Sequence, residues 1–368
     1  MKITKINARR HSGDASDSYH AEIIIVEVST DHDIMGVGFT MAAPGLGELF
    51  QNLIVNILGQ QIVGHDPRLT SDLWEKMHKD AIPRRGGEGF VRSCIAAIDM
   101  ALWDIKGKAL GVPVSHLLGG HRDLVPTYAN CAHHLPPDEL AERAASYVAK
   151  GHRALKIRGT LSFVTPAEAT ERVRLVREAI GPDVRLMVDV NGSWDVDTAI
   201  QQLKIWEPYN VYWLEEPVAP DNIPGYAHVR ARAGDTYIVG GEQHAGLLEF
   251  RTLIEQGHVD MVQPNVLITG GITDWLRVHA FATAKGVPVS PWDLQAVHIH
   301  LAAGLPNVKW IEYFMADNAL LEFQNQLIVG PKTREVVTDE GLFLTAPGQP
   351  GLGVSFDAEV AERSLVKL

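Results

Sequence analysis

The sequence is short of several things, and each shortage closes off a class of protein. Cysteine occurs only as Cys94 and Cys131 in 368 residues, each inside an apolar segment. Two thiols cannot build a disulfide framework, so buried, reduced cysteines in a reducing cytoplasm are the expected state. Apolar runs such as residues 23–26 are brief, far below the roughly 20 residues that a membrane-spanning helix needs. Met1-Lys2-Ile3-Thr4 leads straight into a strand-like pattern without the apolar core of a secretory signal, so no targeting segment is expected. Positive charge is the minority, with 33 Lys and Arg against 45 Asp and Glu and a formal charge of −12. No basic cluster forms a nucleic-acid footprint, and a polyanion partner is not expected. A small anion remains compatible, because a bound cation and a few focused basic groups can invert the local field.

What is present is ordinary soluble-globular composition, 46% hydrophobic and 21% charged. The length suits one large barrel with a smaller attached domain. Residues 1–124 read as an α+β unit. Glu22-Ile23-Ile24-Ile25-Val26-Glu27-Val28 is a strand, Asp31-His32-Asp33 a turn, and Gly36-Val37-Gly38-Phe39 a second strand. A helical period then runs through residues 92–110 to Gly111. From about residue 125, short apolar runs alternate with amphipathic helices. The strand candidates are 127–131, 154–158, 185–190, 211–214, 237–240, 260–263, 287–290 and 309–313. A helix at 167–180 has Pro166 at its start and Gly181 after its end. Eight strands separated by helices predict a (β/α)8 barrel over 125–325, with residues 326–368 packing back on the first domain. Gly86-Gly87-Glu88-Gly89 follows no strand and does not match GxGxxG, which argues against a dinucleotide fold.

Three successive strands end in an acid: Asp189, Glu215 and Glu242, 26 and 27 residues apart. One strand–helix unit separates each pair, so the carboxylates meet at neighbouring strand ends on the face where barrel enzymes build their sites. Three such charges repel unless a cation joins them, and all-oxygen ligation favours Mg²⁺ over zinc. A lone acid of this kind is more often a helix cap or a lysine's partner; three in register make that account weak.

The runs Val188-Asp189-Val190-Asn191-Gly192, Trp213-Leu214-Glu215-Glu216-Pro217 and Gly240-Gly241-Glu242 resemble the metal-ligand signatures of the enolase superfamily, nearest its mandelate racemase subgroup. Residues 97–104, Leu117-Leu118-Gly119-Gly120 and Ile268-Thr269-Gly270-Gly271-Ile272-Thr273 extend the similarity over nearly the whole chain. The resemblance implies a modified (β/α)8 barrel under an α+β capping domain. It also implies Mg²⁺ on Asp189, Glu215 and Glu242, a carboxylate substrate and a symmetric homo-oligomer.

The resemblance breaks at the acid and base. The subgroup carries Lys-x-Lys on the second strand, with the second lysine as base, where this chain has Lys156-Ile157-Arg158. Both side chains are expected in the barrel mouth. A guanidinium stays protonated, so Arg158 suits a substrate clamp whose charge would depress the pKa of Lys156 and make that residue the base. The plainer reading is that both cations balance the acidic site. A His–Asp dyad is missing, since Asn265 and Trp292 stand at the matching positions. Asp293 would serve as acid or base if it turned inward, although a helix cap is the favoured reading. Glu312 matches an acid near the substrate carboxylate. Asn191, Trp292, His244, Asn265, His133 and Arg84 are candidate substrate contacts, with His134 and Arg85 beside them. His298 and His300 are expected on a helix, packed or facing solvent.

Removal of the proton α to a carboxylate is the implied chemistry, and dehydration of a sugar acid to a 2-keto-3-deoxy acid is the leading expectation. One group can serve both steps of a syn elimination, so the missing dyad is less damaging there than in racemisation. The alternatives are an epimerase or lactone cycloisomerase and a metal-binding paralogue of low activity. A hydrolytic metal barrel ranks low, because His133 and His134 are adjacent and not spaced as His-x-His. Specificity is expected in residues 11–20 and 41–48.

Overall fold

Three antiparallel strands open the chain, β1 (Ile3–Ser12), β2 (Glu22–Thr30) and β3 (Met35–Ala42), in the order β1-β2-β3 of a computed structural model. The structure describes residues 1–13, 21–81, 89–131, 135–159, 164–315 and 318–366. The isoleucine-rich run of β2 is buried on both faces because each face has its own core. Ile24, Val26 and Val28 pack with Ile95, Ile98 and Leu102, whereas Ile23 and Ile25 join the core that continues into the barrel. Helix Phe90–Leu110 lies on the sheet and stops at Gly111 in the left-handed conformation. The two glycines of β3 set that approach. A Cβ on Gly36 would stand 2.1 Å from the Ala101 carbonyl oxygen, and one on Gly38 2.0 Å from that of Ala97.

The barrel begins with β4 (Leu124–Asn130) and continues through β5 (Ala154–Arg158), β6 (Arg185–Asp189), β7 (Val211–Glu215), β8 (Tyr237–Gly240) and β9 (Met261–Val262). All these pairings are parallel, and β10 (Ile311–Phe314) closes the ring on β4. The expected strands at 154–158 and 237–240 have those bounds. The strand expected at 260–263 shrinks to two residues, and that at 287–290 survives as bridges from Val289 to Val262 and Val308. Pro264, Pro288 and Pro291 explain both, since a proline brings no N–H to a ladder. Tyr128, Met187, Trp213, Val239, Met261 and Trp310 fill the interior. Helix Pro166–Ile180 takes its N-cap from Thr165, whose side chain accepts from Glu168 N, and ends at Gly181. No helix among the described residues is long and apolar enough to cross a membrane. Cys94 and Cys131 are buried, and neither forms a disulfide.

After β10 the chain serves both bodies. A hairpin of β12 (Glu335–Thr338) and β13 (Gly341–Thr345) adds antiparallel to the first residues of β4, while β11 (Ile328–Val329) pairs with β14 (Ser355–Phe356). Farther on, Leu352 N donates to Asp104 Oδ1 and Val366 N to the Arg10 carbonyl. Asp104 also accepts from Val37 N and Lys108 Nζ, so one buried carboxylate joins sheet, helix and tail.

Asp99 locks the capping helix to the barrel. Its carboxyl accepts from Thr273 N at 2.9 Å and Thr273 Oγ1 at 2.6 Å, and Trp103 Nε1 donates to the same hydroxyl. Burial pushes the Asp99 carboxyl up to about 7 against these bonds. Gly271 has φ +102°, and a Cβ there would lie 2.6 Å from Asp99 Oδ2. Gly271→Ala is therefore expected to cost about 2–5 kcal/mol, backbone strain plus overpacking. Gly45→Ala, at φ +84° with nothing within 4 Å, should cost only about 1–2 kcal/mol. Denaturant unfolding of both variants checks the difference, and equal losses would remove the Asp99 contact from the account.

Candidate active site

The pleat sends alternate residues of each strand inward, and the last inward residue of several barrel strands is polar. Asp189 ends β6, Glu215 ends β7, and Glu242 lies two residues past β8. One oxygen from each of these buried side chains lies within 4.8 Å of the others. Asp189 Oδ2, Glu215 Oε2 and Glu242 Oε2 are buried without a hydrogen bond, although the Arg158 guanidinium stands 3.3 Å from the first. Burial pushes the Glu215 carboxyl up to about 8, with Lys156 opposing and Asp189 and Glu312 adding to the rise. Glu242 is raised well above the carboxylate range by burial and then by Glu216, Asp189 and Glu215. Orphaned, mutually repelling carboxylate oxygens at this separation suit a hard divalent cation.

Lys156 enters this cluster from β5. Its Nζ is 2.8 Å from Glu215 Oε1, 2.9 Å from Glu312 Oε1 and 4.0 Å from Asp189 Oδ2, with no solvent exposure. Burial works against the ammonium, yet Glu215, Glu312, Tyr128 and Asp189 together hold its pKa well above the usual lysine value. The expected depression by Arg158 is thus reversed, because acids and not the guanidinium are Lys156's nearest neighbours. Arg158 pairs with Asp189 and donates to Asn191 Oδ1. Asn191 in turn clips two of the acids, its backbone N donating to Asp189 Oδ1 at 2.8 Å and its Nδ2 to Glu242 Oε1 at 3.1 Å. That geometry needs φ +47°, which asparagine tolerates.

Glu312 on β10 is buried and triply held. Oε1 accepts from Lys156 and from Asn130 Nδ2 at 2.6 Å, and Oε2 accepts from Asp293 N at 3.1 Å. Sequence reading missed Asn130, although the rule that found the acids, a polar residue closing a barrel strand, applies equally to the end of β4. Glu216, quoted in the Glu215-Glu216-Pro217 run, had no role of its own in the sequence reading. It is buried behind Glu215 with φ +43°, accepts from Gln243 Nε2, and is pushed up to about 7 by burial and by Asp189.

Asp293 does not cap the following helix, contrary to the expectation from sequence. Helix Gln295–Gly304 has Leu294 at its N-cap and no side-chain cap bond. Both Asp293 and Leu294 take positive φ, +54° and +44°, and the buried Asp293 carboxyl accepts from Gln324 Nε2 at 3.1 Å. Burial pushes it up to about 7, with Glu312 adding and Gln324 opposing. His298 holds this loop from behind. Its Nε2 accepts from Val266 N, so Nδ1 carries the proton and donates to the Asp293 carbonyl at 2.6 Å. His300 is likewise packed, between Ser115 N and the Leu352 carbonyl, and burial lowers both imidazoles to about 4.

The remaining candidates divide. Asn265 accepts from Leu267 N, a local cap, and its Nδ2 donates to the Trp292 carbonyl at 3.3 Å. This bond uses Trp292's backbone in place of a dyad. His244 is buried, lowered to about 4, and lines a hollow with Pro220, Gln243, Leu248 and Glu249 outside the acid cluster. His133, His134, Arg84, Arg85 and most of the 11–20 loop lie outside the described residues.

Comparison with known proteins agrees with this geometry. Residues 139–360 match the family described as Enolase C-terminal domain-like, and residues 13–119 the Mandelate racemase / muconate lactonizing enzyme, N-terminal domain. The chain is 33% identical over 311 residues to an L-talarate/galactarate dehydratase of Salmonella typhimurium, covering 83% of this chain and 76% of the relative. It is 29% identical to a 3,6-anhydro-alpha-L-galactonate cycloisomerase of Streptomyces coelicolor, covering 94% and 93%. The crystal structure of L-talarate dehydratase from Polaromonas sp. JS666, complexed with Mg and L-glucarate, superposes with a TM-score of 0.87 at 28% identity, covering 100% and 98%. With both halves matched in order and the acid cluster at the strand ends where the motifs put it, the chain belongs to the mandelate racemase/muconate lactonizing enzyme family of the enolase superfamily.

Proposed function

We propose that this protein dehydrates a sugar acid to its 2-keto-3-deoxy acid, with Mg²⁺ held by Asp189, Glu215 and Glu242. The observation that carries the reading is the trio of orphaned carboxylate oxygens set against two fixed cations, Lys156 and Arg158. The kinship with a talarate/galactarate dehydratase supports the substrate class. When bound, the metal supplies positive charge next to the substrate carboxylate, where the enediolate's second charge develops.

The chain's own groups do the rest. Lys156, clamped between Glu215 and Glu312, is held as a cation by these acids and stabilises the developing charge. Arg158 is poised to fix the ligand's anionic end, and Asn191 keeps Asp189 and Glu242 in place. We assign proton transfer to Asp293, whose loop is tied through Glu312 to Lys156. The Asp293 carboxylate takes the α-proton and the electrons of that bond form the enediolate. The Cβ–O bond then breaks, Asp293 returns the proton to the leaving hydroxyl as water, and the enol tautomerises to the ketone. One group serving both steps suits a site without a His–Asp dyad. The 29% identity to a cycloisomerase over nearly the full length of both chains favours a second reading, in which the same enediolate rearranges without losing water.

The deciding experiment incubates the protein with Mg²⁺ and a library of sugar mono- and diacids in D2O. A 2-keto product is expected, whereas α-proton exchange or isomerisation without one moves the answer to the second reading. Mg²⁺ should also stabilise the fold, by about 2.7 kcal/mol at a hundredfold excess over its Kd. Glu242→Gln should abolish most of that gain, and an equal Mg²⁺ response in the variant would refute the ligand assignment. Activity should rise with pH through about 7 as Asp293 ionises. Asp293→Asn should lower kcat by about 10²–10⁴ and erase that limb. A variant keeping the wild-type pH profile would move proton transfer elsewhere.

A further inference from the structure

One buried group in the barrel mouth has no use in the chemistry above. Gln263 follows β9, and its backbone N donates to the Gly240 carbonyl at 2.9 Å, so the ladder continues past Val262. Met261 lies in the interior cluster and Val262 in the outer core, which puts Gln263 on the inner side. Its side chain is fully buried, yet neither Oε1 nor Nε2 has a hydrogen-bond partner. The other buried amide residues among those described are engaged: Asn130 with Glu312, Gln202 with Thr170, Asn265 with Leu267 N, and Asn318 with Asn130. A buried amide with both ends idle is a standing cost that calls for a reason. The backbone beside it is fixed, since Trp275 Nε1 donates to the Pro264 carbonyl at 3.0 Å.

We infer that Gln263 is a specificity residue that reads a hydroxyl of the substrate, an inference that rests on the sugar-acid reading. The chemistry of the amide selects the partner. It offers one acceptor and one donor side by side, whereas a carboxylate only accepts and an ammonium only donates. A hydroxyl does both, so a hydroxyl-bearing carbon satisfies Gln263 where a carboxylate would leave Oε1 idle. Lys156 and Arg158 already answer the ligand's charge, which leaves the neutral amide for its uncharged part.

Two measurements on Gln263→Leu test it with the Mg²⁺-loaded protein. In thermal unfolding without organic ligand, the variant should melt at or above the wild-type temperature, because leucine fills the space without idle polar atoms. A clear fall would mean that the amide holds the fold, through a buried water for instance, and would overturn the inference. Calorimetric binding then compares galactarate with adipate, the six-carbon diacid lacking all hydroxyls. The substitution should weaken galactarate roughly tenfold or more and leave adipate unchanged. Equal losses for both would also overturn it. If neither diacid binds the wild type, the sugar-acid reading fails on this probe, and the melting temperature alone decides whether Gln263 is held idle for a ligand or serves the fold.

Discussion

Repulsion among buried carboxylates is the constraint around which the barrel mouth is built. Asp189, Glu215 and Glu242 come together with oxygens that no protein donor fills, while Glu216, Glu312 and Asp293 add acids close by. In a low-dielectric interior such a group cannot stay ionised unaided, which is why burial lifts Glu215, Glu216 and Asp293 into the neutral range. Each nearby cation and amide makes sense as a response. Lys156 bridges Glu215 and Glu312, Arg158 leans on Asp189, and Asn191 and Asn130 donate to what remains. The same repulsion makes the cluster fit for a metal, because a divalent ion relieves what protein donors leave undone.

The scaffold keeps that electrostatic stress local. Strand ends on a closed ring hold the acids at fixed separations, and the aromatic interior of Tyr128, Trp213 and Trp310 prevents collapse beneath them. The capping domain is fastened to the barrel by a second set of buried polar contacts, Asp99 with Thr273 and Arg92 with Asp274. The two motifs that carry the family likeness outside the metal site, around residues 97–104 and 268–273, are the two sides of this joint. Their sequence signal therefore reports how the domains dock, while the acid motifs report chemistry.

Local chemistry made much of this legible. The barrel strands showed as short apolar runs, three successive ones leading to an acid, and the helix from Pro166 to Ile180 showed its start and stop. The short strands were the hard ones, because the prolines that trim β9 and its successor act by removing ladder donors that only a neighbour would have used. Asn130 and Gln263 escaped notice because neutral amides at strand ends carry no charge pattern, and their significance is a matter of who their partners are. Asp293 was misjudged for a related reason. An aspartate just before a helix is usually its cap, but here Leu294 takes the N-cap position and both residues have positive φ.

The sequence by itself determined the strand–helix alternation, the family, the three acids and the loss of the His–Asp dyad, since each depends on residue identity and spacing along one chain. Which neighbours each ionisable group meets came only with the tertiary structure. Whether Lys156 is a base or a counter-ion depends on Glu215 and Glu312, which lie 59 and 156 residues away in sequence and under 3 Å away in space. Proton affinities are set by burial and by neighbours across the barrel, and those neighbours exist only once the ring has closed.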